Sequence, residues 1–457
     1  MGKMIIDEQL SSAAAAIYST NSLFARFKIE ADLDPEDGNP YPLALPTHVH
    51  EFVHYLHNIS TAAGVQIIFL MHTLVFMGAQ YLIEHGRGVG RSSKESDQKG
   101  DFKFFIDRLN FIFGDFERLD QDVNNKQGWK FSNLRSYEDK CPAGLFAYQV
   151  DVFGKVNNES VNGILRIGLN FLTEGVAYEV ERELWRKREI DVSLIDAQTP
   201  IFPYLAYQPL VNYLVGRETT PMERIEIGDV ALLRSSPSQG FVEACLALRK
   251  GRTQFDNHLK NRVDGFKRYI ENDFDSEVGL LREFYSATDR LLKPFMNYMS
   301  VVKSAALKRV DYPILEELFT KEKIDEEKFF AITSSIAEHC VIQEKYSGSV
   351  TIDLVGHPSG MTSFPNDDIQ WFYILCSAIH FVQQHLTSDG AIAETDKLRE
   401  KSCPFSGGCE VEKGENYPVI CRKYPWKFKR EINVEEKGLC WYMAGIRSIT
   451  PELKSAV

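Results

Sequence analysis

The segment from Gly64 to Ile83 constrains the fold most. Its residues are mostly apolar, and about twenty such residues are enough for a helix to span a bilayer or to fill a protein core. Polar side chains interrupt this run at Gln66, His72, Thr73 and Gln80. Because unpaired polar groups are costly in hydrocarbon, we expect a buried helix of a soluble protein. A membrane-embedded helix is the alternative.

Composition narrows the class of protein. The chain has 457 residues, of which 44% are hydrophobic and 25% are charged, as is typical of globular proteins with more than one domain. Its formal net charge of −12 argues against a nucleic-acid partner, because phosphate binding requires clustered Lys and Arg. The first residues do not form a secretory signal. We therefore expect a cytoplasmic protein whose eight cysteines are thiols or metal ligands.

The hydrophobic pattern predicts an α+β fold that is predominantly helical and has a small mixed sheet. Strands are predicted at 22–33, 144–155, 163–170 and 349–356, the middle two as a hairpin. Helices are predicted from Thr47 onward with a break near 60–64, and over 101–119, 171–189, most of 200–345, and 367–386. The composition of residues 86–100 is typical of a mobile loop.

Four of the eleven histidines lie between Thr47 and Ser60, where Thr47 is a suitable helix N-cap. Residues from His50 to His54 fit the pattern H-E-x-x-H. Side chains four residues apart share one face of a helix, so both imidazoles can reach a single Zn²⁺. Glu51 lies about 100° around the helix and is placed to take the proton of a metal-bound water. The alternative is a buried helix whose histidines only form hydrogen bonds.

A catalytic zinc site needs a third protein ligand. His57 shares the face of the first two histidines, but it lies about 10 Å along the helix axis from His50, and ligands in a line suit a tetrahedral ion poorly. The metzincin pattern H-E-x-x-H-x-x-G-x-x-H solves this problem with a glycine turn and a later histidine. Those two positions hold His57 and Ser60 here, so this class is excluded.

The segment FLTEGVAYEVE, from Phe171 to Glu181, resembles the second metal-ligand segment of gluzincin zinc metallopeptidases. In that class H-E-x-x-H is combined with a glutamate on a second helix, often within E-G-x-A. The resemblance is limited to these two segments. It implies a zincin-like core, hydrolysis of peptide bonds, Glu51 as general base, and a zinc ion bound by His50, His54 and Glu174.

Two features depart from the gluzincin pattern. Glu174 follows His54 by 120 positions, which is more than in compact members of the class. Tyr178 stands where one variant of the class has an aspartate that orients a histidine ligand, so Glu179 or another carboxylate has to serve that role. The alternative for Glu174 is an acidic residue stabilised by the helix dipole near the helix start.

Peptide hydrolysis also needs a hydrogen-bond donor for the oxyanion of the transition state. The candidates that follow the second ligand helix are Tyr204, Tyr207, Tyr213 and His258, and the sequence does not choose among them. By analogy with zincins, one of the predicted strands at 144–153 and 163–170 is an edge strand that pairs with an extended substrate.

The last sixty residues hold half of the cysteines. Four thiolates can bind a structural zinc or an iron–sulfur cluster. Their spacing lacks the C-x-x-C pair of common zinc sites, so unligated or redox-active thiols are the alternative. The possible second metal site comprises Cys403, Cys409, Cys421 and Cys440.

The sequence therefore indicates a zinc-dependent metallopeptidase acting on a protein or peptide, with neither nucleic acid nor a membrane as a partner. A regulatory partner protein is possible. We expect a zincin-like catalytic region at 1–265, a helical region at 266–345 and a strand, helix and cysteine-rich region at 346–457. The alternatives are a non-catalytic zinc-binding interaction scaffold and a membrane-embedded metalloprotease.

Overall fold

The fold was analysed in a computed structural model. It describes residues 16–18, 24–27, 44–85, 99–115, 129–137, 146–156, 159–286, 289–337, 340–347, 350–357, 366–387, 392–398, 403–404, 423–427 and 440–449. The mobile loop expected at 86–100 lies almost entirely outside these residues, because the next helix begins at Lys99.

Helices dominate the described residues. In chain order they are α1 (Ala44–Ser60), α2 (Ala62–His85), α3 (Lys99–Phe113), α4 (Leu169–Lys187), α5 (Val192–Asp196), α6 (Tyr207–Val215), α7 (Pro221–Leu232), α8 (Pro237–Arg249), α9 (Arg252–Asn272), α10 (Phe274–Ser286), α11 (Asp289–Asp311), α12 (Glu317–Thr320), α13 (Glu326–Ile336), α14 (Asn366–His385) and α15 (Trp441–Ile449). A short irregular turn, Ile201–Leu205, precedes α6, and the backbone of Phe202 within it is extended.

The strands form two small sheets. They are β1 (Ala16–Tyr18), β2 (Phe24–Phe27), β3 (Lys130–Tyr137), β4 (Ala147–Val156), β5 (Glu159–Arg166), β6 (Cys340–Ser347) and β7 (Val350–His357). One sheet has the order β1-β2-β6-β7 and is mixed, because β2 and β6 are parallel. The other is antiparallel, in the order β3-β4-β5. The expected α+β, predominantly helical class is confirmed, and the second sheet was not expected.

The break between α1 and α2 occurs where the sequence predicted it. Thr61 separates the two helices, and its hydroxyl accepts a hydrogen bond from the Gly64 amide at 3.1 Å, as an N-cap does. A Cβ atom on Gly64 would lie 2.2 Å from the carbonyl oxygens of His57 and Asn58. Glycine is therefore required here, because it lets the start of α2 pack directly against the last turn of α1.

The start of α1 was predicted incorrectly. The helix begins at Ala44, three residues before the expected N-cap Thr47. Pro46 is tolerated there because the first turn of a helix has no intrahelical partner for its missing N–H. The sequence also did not predict β1, β3 and β6, and it placed β5 four residues too late, whereas the pairing of β4 and β5 as a hairpin, the strand β7 and the helices α4 and α14 were predicted correctly.

Helix α2 contains the apolar run. One stretch of it, Ala62–Gln80, is long and apolar enough to cross a membrane by length and composition alone. In the fold, 67% of that stretch is buried, and α2 packs against α1, α3, α10 and α14. His72 lies among aromatic rings in this interface, and its Nδ1 is 2.7 Å from the hydroxyl of Tyr285.

Helix α4 packs against α1 on one side and against α6 and α7 on another. Gly175 makes the second of these contacts possible, because a Cβ atom there would lie 2.3 Å from Cγ of the Tyr207 ring. The tyrosine hydroxyl in turn donates to the carbonyl of Arg224 at the start of α7. The glycine of the E-G-x-A segment thus has a packing role next to Glu174.

Replacing Gly175 with alanine tests this packing. We expect Gly175→Ala to lower the free energy of unfolding by about 1–3 kcal/mol, since the added methyl group overpacks a buried interface. The control is Gly279→Ala in α10, where an added Cβ meets nothing within 4 Å and should stabilise the helix by up to about 1 kcal/mol. Urea unfolding measures both variants, and equal effects would contradict the packing role.

The burial of His72 predicts a pH dependence of stability. Burial lowers the pKa of His72 to about 3, below the value of about 6.5 in an unfolded chain. Unfolding therefore takes up a proton as the pH falls below about 6.5, so the folded state loses stability toward acid pH. The titration of His72 should lower the free energy of unfolding by about 1.4 kcal/mol between pH 7.5 and pH 5.5.

Urea unfolding at those two pH values, on the wild type and on His72→Phe, isolates this contribution. The variant should lose about 1.4 kcal/mol less than the wild type between the two conditions. Identical pH dependence in the two proteins would show that His72 does not titrate as its burial predicts.

Candidate metal centre

The packing of α1 against α4 brings three predicted ligands together. His50 and His54 are one turn apart on α1, so their rings lie on the same face, and Glu174 faces them from the second turn of α4. The Nε2 atoms of the two histidines are 3.0 Å apart. The Oε2 atom of Glu174 is 3.2 Å from Nε2 of His54 and 3.4 Å from Nε2 of His50.

These separations can be compared with those around a zinc ion. Bonds of about 2.0–2.1 Å at tetrahedral angles separate the ligand atoms by about 3.3 Å. The three atoms at the α1–α4 interface form a triangle with sides of 3.0 to 3.4 Å. Two imidazoles and one carboxylate are also the ligand set of a common class of catalytic zinc site. The residues therefore fit a zinc ion in both chemistry and spacing.

Glu181 orients the first histidine. Its Oε2 atom lies 2.8 Å from Nδ1 of His50, and because an ionised carboxylate only accepts, Nδ1 carries the proton. The lone pair of Nε2 then points toward Glu174 and His54, as a metal ligand requires. Glu181 lies seven residues after Glu174, two helical turns along the same face of α4. That spacing is the signal that identifies it in the sequence.

Glu179, which the sequence offered as the carboxylate that orients a histidine ligand, instead forms ion pairs. It lies on a different face of α4 and forms a buried ion pair with Arg224 of α7 at 2.7 Å. Arg182 approaches the same carboxylate at 3.2 Å and also binds Asp196 at 2.9 Å. These ion pairs attach α4 to α7 and to α5, and so they hold the helix that carries Glu174 and Glu181.

The carboxylates make the site electronegative. Burial alone would lower the pKa of His50, but Glu181 and Glu174 outweigh burial and raise that pKa well above its ordinary value. Burial would likewise raise the pKa of Glu174, but His54 and His50 hold it well below its usual range. Both shifts reflect the negative potential of the carboxylates, which favours a positive charge at this place, carried either by a proton on His50 or by a bound cation.

Glu51 is buried beside the two histidines and is 6% exposed. Burial raises the pKa of its carboxyl group, and the nearby imidazoles of His50 and His54 only partly oppose that effect. The backbone N–H of Tyr18, in strand β1, donates a hydrogen bond to this carboxylate. A carboxylate with a raised pKa is a better proton acceptor at neutral pH, and one oxygen is already held in place by a backbone donor.

Tyr204 is the only one of the four oxyanion candidates that lies at this site. Its ring centroid is 6.1 Å from that of His50, and it belongs to the irregular turn after α5. The charge of Glu174, to which the hydroxyl is hydrogen-bonded, and burial raise the pKa of Tyr204 well above its ordinary value. The hydroxyl therefore keeps its proton and remains a hydrogen-bond donor.

The other three candidates lie elsewhere. Tyr207 is buried and donates to the Arg224 carbonyl, whereas Tyr213 is 42% exposed. His258 is on α9, and its electrostatic neighbours are Arg262, Glu243 and Arg234.

The remaining histidines of α1 contact other groups. His48 stacks on Phe27 of β2, with ring centroids 3.9 Å apart. His57 points toward Asp229 and Glu316 and does not join the first two histidines. Its exclusion as the third ligand, argued from helix geometry, agrees with this arrangement.

The cysteine site lies only partly within the described residues. Cys403 and Cys440 are both buried, but Cys409 and Cys421 fall outside the residues that the structure describes. A metal site made of all four cysteines therefore remains a prediction.

Comparisons of the chain with protein families, with curated proteins and with solved structures each found no match. A likeness to another protein therefore supplies neither a family nor an activity. Because function resides in the chemistry of a site rather than in a fold, the residues between α1 and α4 are the basis for assigning one.

Proposed function

We propose that the protein is a zinc-dependent metallopeptidase of the gluzincin type, which hydrolyses peptide bonds of a protein or peptide. The observation that carries this proposal is the triangle of ligand atoms from His50, His54 and Glu174 with the carboxylate of Glu51 beside it. A structural zinc site needs the ligands but has no use for a buried general base. The packing of the two ligand-bearing segments, on α1 and α4, also supports a zincin-like core.

The residues have separate roles in this reaction. When bound, Zn²⁺ polarises the peptide carbonyl and makes an attacking water more acidic. Glu51 accepts the proton of that water and later passes it to the leaving amine. Glu181 keeps His50 in the tautomer that presents Nε2 to the metal. The Tyr18 amide holds one oxygen of Glu51, which leaves the other for the proton.

Tyr204 has the position of an oxyanion donor. Its hydroxyl lies next to Glu174, one of the three ligands, and burial and charge keep it protonated. In this role it donates a hydrogen bond to the carbonyl oxygen of the substrate as negative charge develops there. Such a donor acts mainly in the transition state, so it should affect kcat more than KM.

Substrate has to approach from the side of α4, where the Glu174 side chain is 29% exposed. Of the two segments proposed for pairing with substrate, 144–153 lies mainly in β4, which has a neighbour on each side. That segment is therefore ruled out as an edge strand. The segment 163–170 lies in β5 only as far as Arg166, where Asp115 pairs with the outer edge, and it enters α4 at Leu169. The proposed docking strand is therefore confined to the edge of β5 before Arg166, an edge strand among the described residues.

The setting of the activity is also a proposal. The acidic composition supports a cytoplasmic processing enzyme with few specific protein targets, acting without a nucleic-acid or membrane partner. The burial of most of α2 favours this setting over a membrane-embedded metalloprotease. The non-catalytic zinc-binding scaffold is distinguished from the peptidase by the experiments below, and a regulatory partner protein is compatible with either.

Replacing the general base tests the proposed reaction. We expect Glu51→Gln to lower cleavage of a quenched fluorescent peptide library by about 10²–10⁴-fold, because the amide cannot accept the proton. Its zinc content, measured by elemental analysis, should stay at the wild-type level, whereas His54→Ala should lose the zinc of this site.

Glu183→Gln is the matched control, since Glu183 lies on α4 but pairs with Arg186. It should retain both zinc and activity. A wild-type protein that binds zinc here but cleaves no member of the library at a rate above Glu51→Gln would favour the scaffold. Full activity in Glu51→Gln would exclude the proposed role of this residue.

Removing one hydroxyl tests the oxyanion donor. We expect Tyr204→Phe to lower kcat by about 10²–10³-fold with little change in KM or zinc content, because the ligands remain intact. Tyr213→Phe, at an exposed position of α6, should leave all three quantities unchanged. Equal activity of the two variants would remove Tyr204 from the mechanism.

A further inference from the structure

A second cluster of ligand-type side chains lies behind the first, in the protein interior. It comprises His57 of α1, Asp229 of α7, Arg309 of α11, and Glu316 just before α12. Their side chains are at most 1% exposed. Four segments of the chain therefore contribute ionisable groups to one place without water around them.

The distances define how the four groups are arranged. The Nε2 atom of His57 lies 3.4 Å from Oδ1 of Asp229 and 3.3 Å from Oε1 of Glu316. Arg309 binds Glu316 with two nitrogens, at 2.5 and 2.7 Å, and its Nη1 is 3.6 Å from Asp229. Glu316 is thus fixed by the guanidinium, whereas Asp229 and His57 meet at the opposite side of the cluster.

The charges of this cluster do not balance. Two carboxylates carry two negative charges, Arg309 supplies one positive charge, and a neutral His57 adds none. An uncompensated charge in the interior is strongly destabilising. One further cation is therefore required, and it is either a proton or a metal ion. Burial and the Glu316 carboxylate raise the pKa of Asp229 well above its ordinary value, which reflects the same missing charge.

The geometry favours a metal ion over a proton. A proton shared between an imidazole and a carboxylate gives a bond of about 2.7–2.9 Å, which is shorter than both distances from His57, so the competing place for a proton is between the carboxyl groups of Asp229 and Glu316. Neither ring nitrogen of His57 and neither oxygen of Asp229 has a hydrogen-bond partner. Separations of 3.3 and 3.4 Å instead match the spacing of about 3.3 Å between ligands of one tetrahedral ion.

We propose that His57, Asp229 and Glu316 bind a second divalent cation of the Zn²⁺ class, in a structural site that joins α1, α7 and the segment before α12. Imidazole and carboxylate ligands suit Zn²⁺, and Glu316 retains lone pairs for the ion while it accepts from Arg309. Complete burial makes the site structural, since a substrate cannot reach it. This inference is separate from the proposed peptidase activity and does not rest on it.

Ion counting by elemental analysis tests the second site without altering it. Wild-type protein, purified without chelators, should contain two zinc ions per chain, and His54→Ala should contain one, because it changes only the first site. One ion in the wild type and none in His54→Ala would overturn this proposal while leaving the first site intact. One ion in both proteins would overturn the first site, and its position, in the buried cluster or on the cysteines, is then decided by the next two measurements.

The remaining ion in His54→Ala then has to be located. Adding His57→Leu should reduce the count to zero, whereas adding His48→Leu, at another buried histidine of α1, should leave it at one. X-ray absorption at the zinc edge of His54→Ala provides a second readout in case the His57 variant does not fold. Nitrogen and oxygen neighbours at about 2.0–2.1 Å support the proposal, and a sulfur shell at about 2.3 Å places the ion on cysteines and overturns it.

Discussion

Helix α1 is buried on nearly every side, with only Thr47 and His54 partly exposed, yet it carries four histidines and a glutamate. Buried polar groups are stable only when they have partners. The elements packed against α1 must therefore place hydrogen-bonding, charged or aromatic groups next to its histidines and its glutamate. Phe27 of β2 stacks on the ring of His48, and carboxylates of α4 contact His50 and His54. At His57 the nearest groups are the carboxylates of Asp229 and Glu316, at 3.4 and 3.3 Å, and neither forms a hydrogen bond with the ring.

The position of α4 is determined by the side chains on two of its faces, one toward α1 and one toward α7. Toward α1 it presents Glu174 and Glu181, two turns apart, and toward α7 it presents Glu179, which Arg224 neutralises. Gly175 permits close contact with the ring of Tyr207. The helix that carries Glu174, the proposed third ligand, is thus held by ion pairs and by a tight packing contact, and both lie outside the candidate metal centre. Ligand geometry of this kind depends on such supporting contacts.

Part of this arrangement could be predicted from the sequence because it depends on local periodicity. The spacing of His50, Glu51 and His54 defines one helical face, and the alternation of β4 and β5 defines a hairpin. Glu174 was found by resemblance, but Glu181 was missed although it repeats the same face. The cluster around His57 was not predictable, since its members come from four distant segments that only tertiary packing brings together. Strand β3 was missed for a related reason, because its residues carry a mixed polar pattern and pair only within the sheet.

The hydrogen bond from the Tyr18 amide to Glu51 links the site to distant parts of the chain. Strand β1 pairs with β2, and β2 pairs with β6, which begins at Cys340. Strand β1 also contacts α1 directly, through the hydrogen bond of 2.7 Å from the Tyr18 hydroxyl to Asn58. The surroundings of Glu51 thus include a sheet whose strands come from residues before 30 and from 340 onward, so a substitution in β6 can alter this carboxylate without touching α1 or α4.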